Sequence, residues 1–469
     1  MLKLDLKSQT GIQRIRSFLN GKGYIVSDQV VDNFNKIDLW RSWYKGYDPS
    51  FHSYQFYNGS KMIHRKKKTM QMAKRISEDW ANMLANEKTQ INCSNQEALD
   101  DWINDNEFLS YLNTMVEKGM SGGNSALVLT LQNVKVEDDK PNFTDSMTKI
   151  TIYESTQIYP ISYDEKNIYE CAFVSSSYEN NKNIINLVVH HVVNGKYVIT
   201  TYKVEDNQSM TELGYYDYVT NDVVPWFAIF KPNINENQVE QPSGQSIFAN
   251  AIDHLQGIDT TYDGLVNELE LGRMRIFLQA DLTRFDDSGE RKPAIDFNDG
   301  VYYALPTAFG DDKAMIHDFA PTLRTASFIE SLQEELNMLS ISCGLGAGFY
   351  VLKNVGTAMT ATAIYAGNQD LYRSTKKHEM NIEKVIRNFL RAVNSTQFSN
   401  ITFDYKSLAI IFDDSIIENK SEEKTQDITQ INAGVMSKIE YREKWFGETE
   451  DEARKAIAEI SSSQLVIIE

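Results

Sequence analysis

The sequence predicts an α+β protein that is mainly helical and carries one β-rich region. Apolar residues recur at steps of three and four up to about residue 115 and again after residue 243, which is typical of amphipathic helices. Between about Ser125 and Phe230 the period changes to two, as in half-buried strands. A chain of 469 residues is long enough for two to four structural units with real cores.

Charge and cysteine usage narrow the function classes. The formal net charge is −18, with 65 acidic and 47 basic residues, whereas tight DNA binders depend on clustered lysine and arginine. The three cysteines, Cys93, Cys171 and Cys343, form no CxxC pair and are interpreted as small buried apolar residues. We find no apolar run long enough to span a membrane and predict a soluble chain that is cytosolic when synthesised.

The N-terminal region combines an aromatic cluster with a basic run. Eight rings fall within eighteen residues and require burial against this chain or a neighbouring copy: Trp40, Trp43, Tyr44, Tyr47, Phe51, Tyr54, Phe56 and Tyr57. The basic run from Lys61 to Arg75 leads into helical spacing at Ile76 and Trp80. We interpret it as a solvated helix face or the approach to one, in preference to a nucleic-acid patch.

The β-rich region contains one strong hairpin signal. Asn194-Gly195 separates two runs of alternating apolar residues, which predicts a two-residue turn. His190 and His191 are adjacent on the first of these strands and therefore point to opposite faces. We expect a structural role for both, not metal ligation.

A long helix is predicted after Ser243 or Ser246, either of which could cap it. One apolar face continues for about 30 residues, as far as Ile276. Asp259, Asp263 and Glu270 cluster on one flank, and Gly257 and Gly264 lie on the side away from the apolar stripe. The flank is either simply solvated, with incidental glycines, or the bare side lets a neighbouring helix approach closely.

The next four segments follow in order. Residues 280 to 320 form a turn-rich insert with short strand-like pieces such as GVYYAL, and Pro321 opens a second helix whose apolar residues reach Cys343. The glycine-rich segment GLGAGFYVLKNVG follows, and a third helix covers about Thr357 to Val393. SLAIIFDDSII is strand-like, and the acidic tail predicts two short helices joined at Phe446-Gly447.

Several enzyme classes lack their motifs. The pattern GxxxxGK[ST] does not occur, and GLGAGF lies between helices instead of after a strand, so a nucleotide-binding loop is not predicted. GxSxG, HExxH and HxE with CxxC are also missing. We therefore predict no catalytic, cofactor-binding or metal-ligating residues, and keep a metal- or nucleotide-dependent enzyme acting on nucleic acid as the alternative.

The order of these segments resembles the portal proteins of tailed double-stranded DNA bacteriophages, of the type found in long-tailed phages of Gram-positive bacteria. The residues that carry the resemblance are WRSWYKGYDP, SGQSIFANAIDHLQGIDTTYDGLVNELELGRMRIFL, GLGAGFY with GTAMTATA, and INAGVMSKIEYREKWFG with TEDEA. Together they span nearly the whole chain. The family commonly has Glu where this chain has Ala363, so an ion pair at that position is not carried over.

The resemblance implies a portal fold assembled as a ring, probably of twelve subunits. It implies an N-terminal arm and wing (1–242), stem helices (243–279 and 321–343), a clip (280–320), a tunnel loop (344–357), a further wing part (358–419) and a crown (420–469). The expected channel residues are Gly348, Phe349, Tyr350, Val351, Leu352, Lys353, Asn354 and Val355. The implied partners are double-stranded DNA bound without sequence preference, the terminase large subunit, a head-tail adaptor, and the major capsid and scaffolding proteins. No membrane partner and no cofactor are implied, and the implied location is one capsid vertex of the virion, with the host cytoplasm during assembly.

Overall fold

Helices and strands mix as predicted. Helices hold 49% of the residues and strands 25%, which confirms the α+β class. The computed structural model describes residues 9–57, 61–137, 140–164, 167–179, 181–207, 210–220, 222–234, 243–272, 275–279, 283–285, 291–293, 302–305, 316–319, 321–352, 361–399, 401–412, 420–446 and 448–465.

The helices concentrate before residue 123 and after residue 251. They are α1 (Gln9–Gly21), α2 (Asp28–Tyr44), α3 (Pro49–His52), α4 (Met72–Leu84), α5 (Gln96–Asp105), α6 (Phe108–Gly122), α7 (Ile252–Leu271), α8 (Thr325–Ser342), α9 (Ala361–Ser395), α10 (Lys420–Asn432), α11 (Lys438–Phe446) and α12 (Glu450–Leu465).

The strands lie mostly between α6 and α7, where the period of two was seen. They are β1 (Ser53–Tyr57), β2 (Met62–Lys66), β3 (Gln90–Asn92), β4 (Ser125–Gln132), β5 (Lys135–Glu137), β6 (Lys140–Asn142), β7 (Met147–Glu154), β8 (Ile158–Tyr163), β9 (Ile168–Glu179), β10 (Lys182–Val193), β11 (Lys196–Glu205), β12 (Thr211–Val219), β13 (Phe227–Phe230), β14 (Arg275–Gln279), β15 (Thr283–Phe285), β16 (Arg291–Pro293), β17 (Tyr302–Leu305), β18 (Ile316–Phe319) and β19 (Ala409–Ile411).

The chain divides into two compact units, residues 1–412 and 413–469. The helical core of the first unit is built on α6, which packs against α4 and contacts the C-terminal part of α9 through Phe108. Phe108 of α6 stacks on Phe389 of α9 with a centroid distance of 5.7 Å, and both rings are fully buried. α9 buries Leu371, Ile382 and Val385 on one face.

Two larger antiparallel sheets and the two-stranded sheet β5–β6 make up the β-rich region. One has five strands in the order β12-β11-β10-β9-β8, and the other has three in the order β13-β4-β7. The predicted turn joins β10 to β11, with φ of 50° at Asn194 and 76° at Gly195, as the type I′ hairpin requires. The long-range pairing of β13 with β4 brings the chain back to α6 just before α7 begins.

The start of α7 is fixed by a close backbone contact with the end of α6. A Cβ atom on Gly244 would lie 2.2 Å from the carbonyl oxygen of Gly123, and one on Gly123 would lie 2.4 Å from that of Gly244. The backbone N–H of Ile247 donates to the carbonyl of Met120 at 2.9 Å. Two glycines are required here because the two main chains touch.

Several local predictions were wrong. The helix predicted to be capped by Ser243 or Ser246 begins at Ile252 with Ala251 at its N-cap, so neither serine caps it. It ends at Leu271, after 20 residues, and Ile276 lies in β14, where its backbone pairs with β17 and β18 instead of continuing the helix. α8 starts at Thr325, four residues later than Pro321. Five residues of the basic run, Met62–Lys66, form strand β2, since they pair with β1. Cys93 is only half-buried, whereas Cys171 and Cys343 are buried as predicted.

The second unit holds α10, α11 and α12, so the two short helices predicted on either side of Phe446-Gly447 are confirmed. Asp427 of α10 accepts hydrogen bonds from the Lys444 ammonium at 2.7 Å and the Trp445 indole at 2.8 Å, which joins α10 to α11. Among the residues that the structure describes, none of the helices has the length and apolar character of a membrane span.

Candidate functional site

α7 and α8 form an antiparallel pair in which the glycines of α7 face α8. A Cβ atom on Gly257 would lie 2.8 Å from the Glu335 carboxylate, and one on Gly264 would lie 2.9 Å from the Phe328 ring. The second interpretation of the glycines is therefore confirmed, and the neighbouring helix belongs to the same chain. The Arg324 guanidinium closes the far end of the pair by donating to the Glu268 carboxylate at 2.8 Å and 3.1 Å.

The acidic flank of α7 is not a solvated surface, so that interpretation is wrong for Asp259. Asp259 is 3% exposed, and its carboxylate lies 3.0 Å from Nε2 of His52 and accepts the backbone N–H of Met70 at 2.8 Å. These contacts form because the hairpin β1–β2 and the segment after it lie along this side of the helix. The flank joins two parts of one chain.

The other two acidic residues continue the same contact. The Asp263 carboxylate accepts the backbone N–H of Lys68 at 2.9 Å and the side-chain amide of Asn267 at 3.0 Å. The Glu270 carboxylate lies 3.6 Å from the Arg65 guanidinium, at the solvent-exposed end of the flank. The sequence placed the three acids on one flank but did not indicate that a strand covers it.

Cations of the basic run contact the acidic flank of α7 and the rings of the aromatic cluster. The Lys66 ammonium lies 4.0 Å from the Tyr47 ring centroid, and the Lys67 ammonium lies 3.8 Å from that of Phe51. The cluster itself is partly buried within the chain: Trp43 is 2% exposed, whereas Tyr57 is 62% exposed. Burial by this chain alone is thus confirmed for Trp43 but not for Tyr57.

The first glycine of the glycine-rich segment, Gly344, terminates α8. The backbone N–H of Gly344 donates to Ile341 at 3.1 Å and that of Leu345 donates to Ser340 at 2.9 Å, with φ of 76° at Gly344. This arrangement is a glycine C-cap, in which Gly344 ends the helix. Gly346 and Gly348 also have positive φ, so the chain reverses repeatedly in a few residues.

The loop is anchored to α4 and α8 by its middle residues. The Tyr350 hydroxyl donates to the Asp79 carboxylate at 2.8 Å. The Gln333 side chain donates to the Tyr350 carbonyl at 2.7 Å and accepts the Leu352 backbone N–H at 2.9 Å. Burial, with the adjacent Asp79 carboxylate, holds the pKa of Tyr350 well above its usual value. Tyr350 therefore packs against its own subunit as a neutral phenol.

Three apolar residues of the same loop point into solvent. Phe349 is 37% exposed, Val351 52% and Leu352 41%. Lys353, Asn354 and Val355 lie outside the described residues, as do Gly356 and Thr357, where the next helix was expected to restart. The described part of the loop thus has a fixed base on α4 and an exposed apolar stretch.

Burial perturbs the pKa of a histidine in the β-rich region and of a cysteine beside the glycine-rich loop. Burial lowers the pKa of His190 to about 3, and its Nδ1 lies 2.9 Å from the Tyr197 hydroxyl. Nε2 of His191 lies 2.9 Å from the Thr200 hydroxyl. Burial raises the pKa of Cys343 to about 12, so this thiol beside the glycine-rich loop is not a thiolate at neutral pH. Within the described residues, no group of three or more His, Cys, Asp or Glu could hold a metal ion.

A helix pair separated by an insert and followed by a glycine-rich loop has the element order of a viral portal protein. The model of the family "Phage portal protein, SPP1 Gp6-like" matches residues 26–464, and the chain belongs to this family. The portal family consists of structural, non-enzymatic proteins, and the enzyme alternative has no support in it.

Solved structures that are similar to this chain include chains of gene transfer agent (GTA) particles. The chain is similar to a chain in the neck of a native GTA particle computed with C12 symmetry (TM-score 0.40) and to one in the virion of a native gene transfer agent (GTA) particle (TM-score 0.38). Each is 10% identical, and each alignment covers 79% of this chain and 88% of the other. Comparison with curated proteins gave no match.

Proposed function

We propose that this chain forms a ring-shaped portal at one capsid vertex, through which double-stranded DNA is packaged by the terminase motor and later ejected. The observation that carries the proposal is the family match over residues 26–464. Head-tail adaptors would dock on the same ring after filling. The protein would act in the virion and in the host cytoplasm during assembly, with the major capsid and scaffolding proteins as neighbours.

The parts of the ring follow the order of the chain. Residues 243–279 and 321–343 would form the stem, 280–320 the clip that faces the motor and later the adaptors, and 344–357 the tunnel loop. Residues 1–242 and 358–419 would form the wing, and 420–469 the crown. The antiparallel contact of α7 with α8 supports a rod-like stem, because Gly257 and Gly264 let the helix axes approach closely.

The loop geometry supports a role in lining the channel. Tyr350 and Gln333 fix its base, so Phe349, Val351 and Leu352 can be presented at a constant position without folding back onto the chain. Apolar side chains offer a duplex no strong charge contact, so they would let it slide in either direction. Gly348 supplies the positive φ on which this turn depends.

The charge of the chain supports passage instead of capture. Twelve copies with a formal charge of −18 would give a ring of −216. DNA carries one negative charge per roughly 1.7 Å of helix axis, so such a ring repels the duplex more than it grips it. Weak contacts from lumen-facing lysines would remain compatible with fast movement.

Sedimentation and negative-stain microscopy of the purified full chain test the proposal. We expect a particle far heavier than the 53.7 kDa chain, with a central hole. A chain that stays monomeric under all assembly conditions, with capsid proteins present, would contradict it. Mg²⁺- or ATP-dependent turnover abolished by one carboxylate substitution would instead indicate the enzyme alternative.

A further inference from the structure

A groove separate from the glycine-rich loop lies between α9, β13 and the start of β9. Its volume is about 240 Å³, and it shares no residue with the loop or with the α7 flank. Four of its lining residues, Asn381, Lys384, Asn388 and Arg391, belong to α9. They are spaced by three, four and three positions, which puts them on one helix face over about 15 Å.

The groove is cationic in an acidic chain. Lys231 of the segment after β13 joins Lys384 and Arg391, and none of the described lining residues is acidic. The α9 cations contact neutral groups: the Lys384 ammonium donates to the side-chain amide oxygen of Asn167 at 2.7 Å, and the Arg391 guanidinium lies 5.4 Å from the Tyr405 ring centroid. In a chain whose overall net charge is −18, this local concentration of cations favours a bound anion.

Two carboxylates near the groove, those of Asp164 and Glu383, accept hydrogen bonds from donors other than Lys384 and Arg391. Asp164 accepts hydrogen bonds from the Asn167 backbone at 2.6 Å and the Tyr169 hydroxyl at 2.5 Å. Glu383, on the neighbouring face of α9, accepts from the Arg387 guanidinium at 2.9 Å. These pairs keep the two carboxylates bound to other donors.

β13 is an edge strand of its sheet and lines this groove. β13 pairs with β4 on one side, and within the described residues no strand pairs with its other side. The Leu129 N–H donates to the Trp226 carbonyl at 2.9 Å, so Phe227 and Ile229 direct their main-chain groups away from β4. Asn381 of α9 donates to the Lys231 carbonyl at 2.9 Å, which places this edge against α9.

The rest of the lining is apolar and includes Ile168, Val224, Pro225 and Ile229. An isolated inorganic anion would leave these side chains unused. An extended peptide adds its main chain to a strand edge and places alternate side chains in pockets beside it. A peptide strand with apolar side chains on one face and carboxylates on the other would match this groove.

We propose that the groove binds an extended acidic segment of a partner protein, with its main chain along β13 and its carboxylates at Lys384 and Arg391. This is an interaction site on the wing part of the chain and does not depend on the channel function proposed above. Both cations lie on exposed helix positions, so they can be exchanged without removing core side chains.

Fluorescence anisotropy with the full chain tests the site. The probe is a labelled peptide of about eight residues alternating glutamate and valine, enough to span the groove as a strand. The double variant Lys384→Glu, Arg391→Glu should weaken binding about tenfold or more, since it replaces attraction with repulsion at both carboxylates. The control Arg373→Glu, Lys377→Glu makes the same charge change on α9 outside the groove and should stay within about twofold of the parent.

Several other results of these binding measurements would overturn the proposal. Failure of the unmodified chain to bind the peptide, or equal weakening in the control variant, overturns the proposal. So does a peptide with glutamine in place of glutamate that binds equally well, or a single-stranded oligonucleotide that binds more tightly through the same two cations. Loss of the ring in the groove variant alone, measured by sedimentation, would assign the groove to contact between copies of this chain and overturn the proposal.

Discussion

Nε2 of His52 lies 3.0 Å from the Asp259 carboxylate, and the pair joins residues 207 positions apart in the chain. Both side chains are buried. Nδ1 of the same imidazole lies 2.9 Å from the Asp48 backbone nitrogen, so the ring links the start of α3 to the middle of α7. The orientation of α7, and with it that of α8 and the loop, therefore depends on a buried polar contact.

Asp259→Ala should lower the free energy of unfolding by about 3 kcal/mol, because it leaves buried His52 and the Met70 N–H without their acceptor. Urea unfolding followed by tryptophan fluorescence measures the change. Glu270→Ala is the matched control, because Glu270 is half-exposed and its pair with Arg65 is long at 3.6 Å. Its expected cost is below about 0.5 kcal/mol. Equal effects of the two substitutions would contradict the structural role of Asp259.

Gly244→Ala should destabilise the chain by about 3 kcal/mol or prevent folding, because the new methyl group would overlap the Gly123 carbonyl at 2.2 Å. Main-chain atoms on both sides cannot move as a flexible side chain would. Thermal unfolding and the soluble yield measure the effect. Gly21→Ala at the end of α1 is the control, since a Cβ there meets nothing within 4 Å, and it should be neutral or slightly stabilising. A tolerated Gly244→Ala would show that the two segments separate easily.

The predictable parts of the fold are those that local sequence determines. The period of two in the β-rich region and the Asn194-Gly195 turn locate strands because each residue depends on its immediate neighbours. The face of α8 through Leu332, Leu336 and Leu339 is predictable for the same reason. Boundaries were less accurate at Ile276, where pairing with distant strands replaces a locally consistent helical pattern.

The candidate site was only half predictable, because its contacts join residues far apart in the chain. The glycines indicated the end of α8, but neither Asp79 nor Gln333 has a sequence signal that links it to Tyr350. The segment MIHRK contains no period-two signal for β2, because two apolar residues precede three basic ones and only the burial of the folded strand alternates. Without β2, the burial of Asp259 could not be inferred.

His190 should make the chain less stable as the pH falls. Its pKa is about 3 in the folded chain, against roughly 6.5 when unfolded, so below pH 6.5 the unfolded state takes up a proton that the folded state does not. The resulting loss is up to about 1.4 kcal/mol per pH unit between about pH 6 and pH 4. His190→Leu should reduce the acid slope of stability by that amount, measured by urea unfolding across this range.

The control for this measurement is His64→Leu, which removes an exposed imidazole from β2 and should leave the acid slope unchanged. His190→Leu also removes the partner of the Tyr197 hydroxyl, which lowers stability at every pH. The difference in slope, not the difference in absolute stability, is therefore the relevant quantity. Identical slopes in both variants would show that His190 is accessible to protons in the folded chain.

Gln333→Ala should loosen the loop without unfolding α8. The side chain holds the Tyr350 carbonyl and the Leu352 N–H at once, so its loss should speed amide hydrogen exchange at Leu352 by about tenfold. Glu334→Ala is the control, because this exposed neighbour on α8 should leave that amide unaffected. Unchanged exchange in Gln333→Ala would mean that the Tyr350–Asp79 contact alone fixes the loop.

Deleting residues 351–355 should leave the proposed ring intact while reducing DNA packaging or retention. Tyr350 remains in place, so its contact with Asp79 keeps the loop base on α4, whereas the exposed Val351 and Leu352 are removed. DNase-protected DNA in particles assembled with the variant measures packaging, and sedimentation measures the ring. The double variant Val351→Ser, Leu352→Ser keeps the loop length and serves as the comparison. A packaging defect in the deletion variant alone would show that the length of the loop matters. A packaging defect in both variants would show that the apolar side chains matter. If the deletion abolishes the ring, the loop is part of the subunit contact, and its role as a channel lining is wrong.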